Sequence, residues 1–315
     1  MTPYHEPVLI REVLDSLDLK PGGIYVDGTV GGGGHAQAIL AATAPGGIVI
    51  GIDRDDDALS ESARILEPFG SRKILVKGNY ADMKEILSRL GVESVDGIVL
   101  DLGVSSHQLE TAARGFSFTK PAPLDMRMDR DAPRTARDLV NTADPRELER
   151  ILRLYGEEPQ AKRIVRAIVK GRKASPIETT NELAGLIVSA LPARMSHGRI
   201  HAATRTFQAL RIAVNDELAS LNRGIASGID SLKEGGRFTV ISFHSLEDRM
   251  VKDLFRDASR GCICPADLPV CACGGKPKLR IITRKPVRPG QDEVERNLRA
   301  RSAKLRTAER TGSCP

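Results

Sequence analysis

Apolar positions in the first 110 residues follow two alternating rhythms. Short, nearly continuous apolar runs occur in IYVDG (24–28), GGIVIGIDRD (46–55), KILVKGN (73–79) and VDGIVLDLG (95–103). Runs of this length and continuity are how parallel strands covered on both faces read. Stretches with apolar residues three and four apart lie around them, beginning with PVLIREVLDSL (7–17), where Pro7 suits a first helical turn. A fifth strand-like run, GRFTVISF, waits until 236–243. Strands alternating with helices predict an α/β fold with a doubly wound, mostly parallel sheet.

The long gap before the fifth run is helical in character. DPRELERILRLYG, PQAKRIVRAIVKG and TNELAGLIVSAL carry helical spacing, the last with Thr180 as its expected N-cap. Phe207, Leu210, Val214, Leu218, Leu221 and Ile225 mark one face of a single long helix. Only that helix is needed to join the fourth and fifth strands. The expected organisation is therefore a discontinuous sheet domain, 1–107 and 205–315, with an all-helical subdomain inserted at 108–204. No internal repeat is visible.

Charge changes this picture at one end. The net charge is +6, yet residues 276–310 hold 12 Lys/Arg against 4 Asp/Glu, leaving the rest of the chain slightly acidic. Such a segment suits a polyphosphate partner or a solvated helix face. With no Trp, four Tyr and seven Phe, base stacking on a sheet surface is a poor expectation, so charge and shape would carry nucleic-acid binding. No apolar stretch approaches the ~20 residues of a membrane span, and the N-terminus lacks a basic-then-apolar signal layout; a soluble, cytoplasmic protein is expected.

Candidate chemistry gathers where the strands end. In open α/β sheets ligands sit outside the carboxyl ends of the strands, and these ends carry Asp27, Asp53, Asp101 and His244. Four consecutive glycines, Gly31 to Gly34, follow the first strand and suggest that something large approaches the backbone. Gly31, Gly33 and Ala36 fit the G-x-G-x-x-A spacing of a dinucleotide site, and Asp53 follows Gly33 at a distance suited to ribose. This supports an NAD-dependent oxidoreductase as one reading. Asp27, however, would sit badly beside a pyrophosphate and well beside a cation. S-adenosylmethionine has no phosphate, an ammonium and a sulfonium. The segment from Asp27 to Gly33 resembles the D-x-G-x-G-x-G loop of class I methyltransferases, departing at Thr29.

Seven ordered segments extend that likeness: YHEPVL with DGTVGGGGHA, DLGVSSHQL, RGFSF, PLDMRMD, TFQALRIAVNDEL, ISFHSLEDR and the closing NLRARSAKLRTAER, which has Leu298 where proline is common. Together they resemble the MraW/RsmH family, bacterial methyltransferases of small-subunit ribosomal RNA. The resemblance implies a class I, Rossmann-like S-adenosylmethionine-dependent fold with an inserted helical domain. It implies methylation of the 4-amino group of a decoding-region cytidine in 16S rRNA. It places cofactor contacts on Gly33, Gly34, His35, Asp53, Tyr80, Asp101 and Gln108, with Tyr80 standing where many relatives have Phe. A non-catalytic RNA-binding assembly factor keeping the same fold is a further alternative.

Methyl transfer from a sulfonium chiefly requires alignment of nucleophile and methyl carbon. A cytosine amine is a weak nucleophile, and an acceptor that holds its protons helps. The D/N/S-P-P-aromatic motif of many amino-methyltransferases is missing here; Asp101 or Ser105 is the candidate holder, the first also reading as a cofactor ligand and the second as a helix cap. After the fifth strand, Ser245 with Asp248 fits a capping box, while His244 and Arg249 are candidate substrate contacts, Arg249 for an RNA phosphate. The target base would have to leave its stack. Finally, Cys262, Cys264, Cys271 and Cys273 form a C-x-C-x6-C-x-C cluster that suits a structural zinc or a loop of free thiols, and Cys314 stands apart.

Overall fold

The computed structural model describes residues 7–192, 201–261 and 275–312. The described chain forms two compact units, one of residues 1–103 with 219–315 and one of residues 104–218.

The first unit is built on one seven-stranded sheet. Its strands are β1 (Ile24–Asp27), β2 (Ile48–Asp53), β3 (Lys73–Lys77), β4 (Val95–Asp101), β5 (Leu232–Ser242), β6 (Leu279–Ile281) and β7 (Lys304–Arg310), in the order β3-β2-β1-β4-β5-β7-β6. β1 to β5 run parallel, whereas β7 is antiparallel to both β5 and β6. Helices cover both faces. On one face α1 (Ile10–Leu17) and α2 (Gly34–Ala42) bury Val13, Leu17, Ile39 and Leu40, with α3 (Asp56–Ile65) beside them. On the other, α4 (Met83–Arg89), the later part of α11 (Glu217–Ser231) and α12 (Ser245–Arg260) bury Ile86, Ile225 and Phe255 against Ile98, Phe238 and Val240. Coverage on both sides is what the continuous apolar strands required. This is the expected α/β architecture, a Rossmann-like, doubly wound, mostly parallel sheet. The break in strand order falls at β1/β4, where such sheets bind ligands.

Two expectations fail in this unit. Pro7 is not in a helical turn: α1 starts at Ile10 after Leu9, which adopts a left-handed backbone (φ 57°). And part of the basic C-terminal segment, read as a phosphate contact or a solvated helix face, is buried sheet. Leu305, Arg306, Thr307 and Ala308 of β7 are all buried.

The second unit consists of α5 (Ser106–Glu110), α6 (Ala136–Thr142), α7 (Pro145–Gly156), α8 (Ala161–Ala174), α9 (Thr180–Ala190) and α10 (Thr204–Asn215), around a core including Leu148, Leu152, Ile164, Ile168, Leu183 and Leu210. It is wider at both ends than the 108–204 insertion expected from sequence. α10 packs on α7, and Ser105 is bound to Gln108 in the first turn of α5, so both flanks go with the helices. Thr179, not Thr180, caps α9, in a reciprocal capping box with Glu182. The single long helix is two. Asp216 takes a left-handed conformation (φ 50°) between α10 and α11, and Arg211 and Glu217 close the break with paired 2.8 Å bonds. In the same unit buried Arg114 donates to the carbonyls of Arg127 and Met128, while Asn215 holds Met126 and Met128 through its side-chain amide. RGFSF and PLDMRMD are thus largely one hydrogen-bonded loop assembly.

Candidate active site

β1, β2 and β4 end at Asp27, Asp53 and Asp101, and because the strands are parallel these three carboxylates share one edge of the sheet. The loop after β1 is tied across that edge by its own backbone. Val30 N–H donates to Ile52 O (3.0 Å), Gly31 N–H to Asp53 Oδ2 (2.9 Å) and Gly33 N–H to Val30 O (2.7 Å). Asp53 Oδ1 also accepts from Asp55 N–H at 3.0 Å. With one bond on each oxygen, Asp53 is oriented and still has lone pairs for another donor. Burial raises its pKa, against the pull of those two N–H groups.

The glycines are explained mainly by the protein itself. Gly33 is the left-handed N-cap of α2 (φ 83°), and a Cβ on it would stand 3.3 Å from Ser62 Cβ. A Cβ on Gly34 would stand 2.6 Å from the Pro7 ring. The large object that approaches Gly34 is therefore Pro7, whose displacement from the helix puts its ring there. Gly31 differs: it has φ 50° and only Thr29 O, at 3.7 Å, near a Cβ position.

Asp27 is the most constrained group. It is 1% exposed, Oδ1 accepts only from Thr29 N–H at 3.2 Å, and Oδ2 is buried without a hydrogen-bond partner among the described residues. Burial pushes its pKa up to about 6; His35 and the Thr29 N–H hold it down, while Asp101 and Asp53 add to the rise. An orphaned buried carboxylate oxygen is costly unless a donor or a cation reaches it. His35 lies between two elements. Its Nε2 is 2.9 Å from Val8 O, so that nitrogen carries the proton, and Nδ1 faces Asp101 Oδ2 at 3.8 Å. Sequence reasoning gave Thr29 no role beyond a departure from the glycine pattern. Its hydroxyl accepts the Asp101 N–H at 2.6 Å, locking the β1 loop to the end of β4. The departure itself was the available signal.

Tyr80 is 8% exposed and belongs to the core beneath the loop. Its ring abuts Gly224 of α11 so closely that a Cβ there would stand 2.4 Å from Cδ2. Ser105 and Gln108 form a capping box: Ser105 Oγ accepts Gln108 N–H at 3.2 Å and Gln108 Oε1 accepts Ser105 N–H at 3.0 Å. Both belong to the second unit. After β5 the capping box is one residue earlier than expected. His244, not Ser245, caps α12, and Glu247, not Asp248, answers it, accepting the N–H groups of Phe243 and His244. Arg249 is exposed in the first turns of α12. Asp248 is instead bonded by Arg306 Nε (2.6 Å) and Lys304 Nζ (3.0 Å) of β7. Among the described residues no three His, Cys, Asp or Glu side chains are placed to share a metal ion. Cys262, Cys264, Cys271 and Cys273 lie outside those residues, as does Cys314.

A pyrophosphate at this edge would face three carboxylates, whereas a cationic nucleoside would find one orphaned acceptor and a ribose acceptor. Known proteins give the family. A ribosomal RNA small subunit methyltransferase H from Syntrophus aciditrophicus is 60% identical over 307 residues, covering 98% of both chains. Its counterpart from Geobacter sulfurreducens is 57% identical over 310 residues, 98% of this chain and 100% of its own. That from Carboxydothermus hydrogenoformans is 52% identical over 97% of both. One family description, MraW methylase family, matches residues 2–311, the strand-end carboxylates, both units and β7 included, and the chain belongs to that family.

Proposed function

We propose that this chain transfers a methyl group from S-adenosylmethionine to the 4-amino group of a decoding-region cytidine in the 16S rRNA of the small ribosomal subunit. Family membership and the names of its relatives support ribosomal RNA methylation, and the edge of three carboxylates supports the cofactor. The observation that carries the reading is Asp27 Oδ2, buried without a partner at the end of β1. S-adenosylmethionine supplies a methyl group already activated on sulfur.

The chain's own residues then have three tasks. Asp53 accepts ribose hydroxyls with the lone pairs that Gly31 and Asp55 leave over. Asp27 offers its ionised carboxylate to positive charge, in a site buried enough for that attraction to count. Asp101 is the acceptor for the amine protons of the target base. Of the two candidates for that task, Ser105 is already engaged as the α5 cap, its oxygen accepting the Gln108 N–H. His244 caps α12 at the same strand-end edge, and Arg249 one turn on is a contact for RNA phosphate. A structural zinc on Cys262, Cys264, Cys271 and Cys273 is proposed from their spacing alone. Protein purified without chelator should carry about one zinc per chain, and zinc-free protein of full activity would assign these as free thiols.

The cofactor assignment is tested by melting and by transfer. S-adenosylmethionine should raise the melting temperature where NAD does not. Labelled methyl should pass to small-subunit particles from cells lacking the modification. Stabilisation by NAD alone would return the site to the oxidoreductase reading, and binding without transfer would favour an assembly factor.

A further inference from the structure

The helical unit carries a basic groove that the strand-end site does not use. α8 reads AKRIVRAIVKGRKA, with six Lys/Arg and no acidic residue. Its inner face buries Ile164, Val165 and Ile168. Lys162, Arg166, Lys170 and Lys173 are exposed on one flank, the first three spaced four residues apart and so about 6 Å from one to the next along the axis. They line a groove of about 390 Å³ against Pro145 and Arg146 at the start of α7, with Val165 and Val169 as its apolar floor. The one acidic lining residue, Glu149, is already bonded to Arg153 at 3.0 Å. No ion pair within 4.0 Å involves any of the five lining cations among the described residues.

We infer that this groove is a second contact for RNA, holding the phosphate backbone away from the base being modified. The inference rests on the reading of an RNA substrate. A row of cations with unspent charge pays a repulsive cost when free, and that cost is relieved when a polyanion lies along it. The open flank and regular spacing suit a continuous strand of phosphates rather than one small anion. An apolar floor with only aliphatic side chains offers nothing for base stacking, so the contact should be insensitive to sequence.

The test uses the full chain and the quadruple variant Lys162→Gln, Arg166→Gln, Lys170→Gln, Lys173→Gln. Binding to a 16S rRNA transcript is measured across salt concentrations, with S-adenosylmethionine affinity and melting temperature read on the same samples. Each lost phosphate contact on single-stranded RNA lowers the log–log salt slope by about 0.7, so the variant should lose up to about 3 in slope and about tenfold or more in affinity at low salt. Cofactor affinity should not change. If the quadruple variant melts early, the single variants Lys170→Gln and Lys173→Gln should each lose about 0.7, and the Lys170→Arg variant none. A wild-type slope in all of these overturns the inference. So does a variant that loses binding to phosphatidylserine vesicles but keeps its RNA slope, which would assign the groove to a membrane surface. A wild-type chain that binds rRNA through the groove without methylating it would remove the proposed reaction and leave the groove standing.

Discussion

Burial holds the Asp27 carboxyl at about 6, well above the ~3.9 of an exposed aspartate. The native chain therefore keeps this proton between about pH 4 and 6 while the unfolded chain has lost it, and the group destabilises the ligand-free fold as pH rises through that window. A cationic cofactor reverses the sign, because it needs the ionised form. S-adenosylmethionine affinity should rise about tenfold from pH 5 to pH 7 and then level off. Calorimetry should find that dependence flattened in Asp27→Asn; an unchanged profile would take Asp27 out of the cofactor's charge field. Asp53 acts differently, through directed hydrogen bonds. Asp53→Ala should weaken the cofactor by ~1.5–3 kcal/mol, about ten- to hundredfold, with near-native circular dichroism. Full affinity in that variant would remove the ribose role. Asp27, Asp53 and Asp101 were legible in the sequence because each ends an apolar run. The reasons for Gly33 and Gly34 were not, since Ser62 and Pro7 meet them only in the folded chain. Tyr80 came in only as a cofactor contact implied by the family resemblance, and its packing as a core side chain on Gly224 was not legible.

Elements were readable where one rhythm ruled a whole segment. β1, β2, β4 and the later half of β5 are largely buried and announce themselves by continuity, while β3, at the end of the sheet, is only partly buried. β7 does not: Lys304, Arg306, Glu309 and Arg310 give it the look of a solvated face, and the pairing of Lys304 and Arg306 with Asp248 and of Glu309 with Arg237 and Arg280 helps make those charges compatible with a sheet. Burial pushes Asp248 upward, yet the two cations more than offset it and leave its pKa lowered. The turn at Asp216 was hidden for a related reason: Phe207 to Ile225 keep their spacing through the break that Arg211 and Glu217 close. Caps slipped by one residue at α9 and α12 because Thr179 and His244 were adjacent to equally plausible Thr180 and Ser245. The α5 capping box yields a separation of roles. Ser105→Ala should cost about 1 kcal/mol in stability, and Ser105→Asn, which keeps a capping oxygen, should retain methyl transfer. A stable Ser105→Asn protein that is inactive would return Ser105 to the reacting amine.

Across the whole molecule, charge is less lopsided in the fold than along the chain. Lys278 pairs with Asp230, Arg280 and Arg237 with Glu309, and Lys304 and Arg306 with Asp248, so part of the charge of the basic C-terminal segment is spent inside its own unit. Among the described residues the groove-lining cations of α8 enter no such pair. No helix among the described residues is long and apolar enough to cross a membrane. A basic groove and an acidic strand edge give the chain two kinds of surface, one suited to phosphates and one to a cationic nucleoside. The central claim joins them in one reaction, and its product is the direct readout. Small-subunit particles lacking the modification are incubated with the purified chain and S-adenosylmethionine, and the rRNA is digested and mapped by mass spectrometry. One added methyl on the 4-amino group of a single decoding-region cytidine is the predicted result; a methyl on another atom or another region, or none at all, would contradict the account.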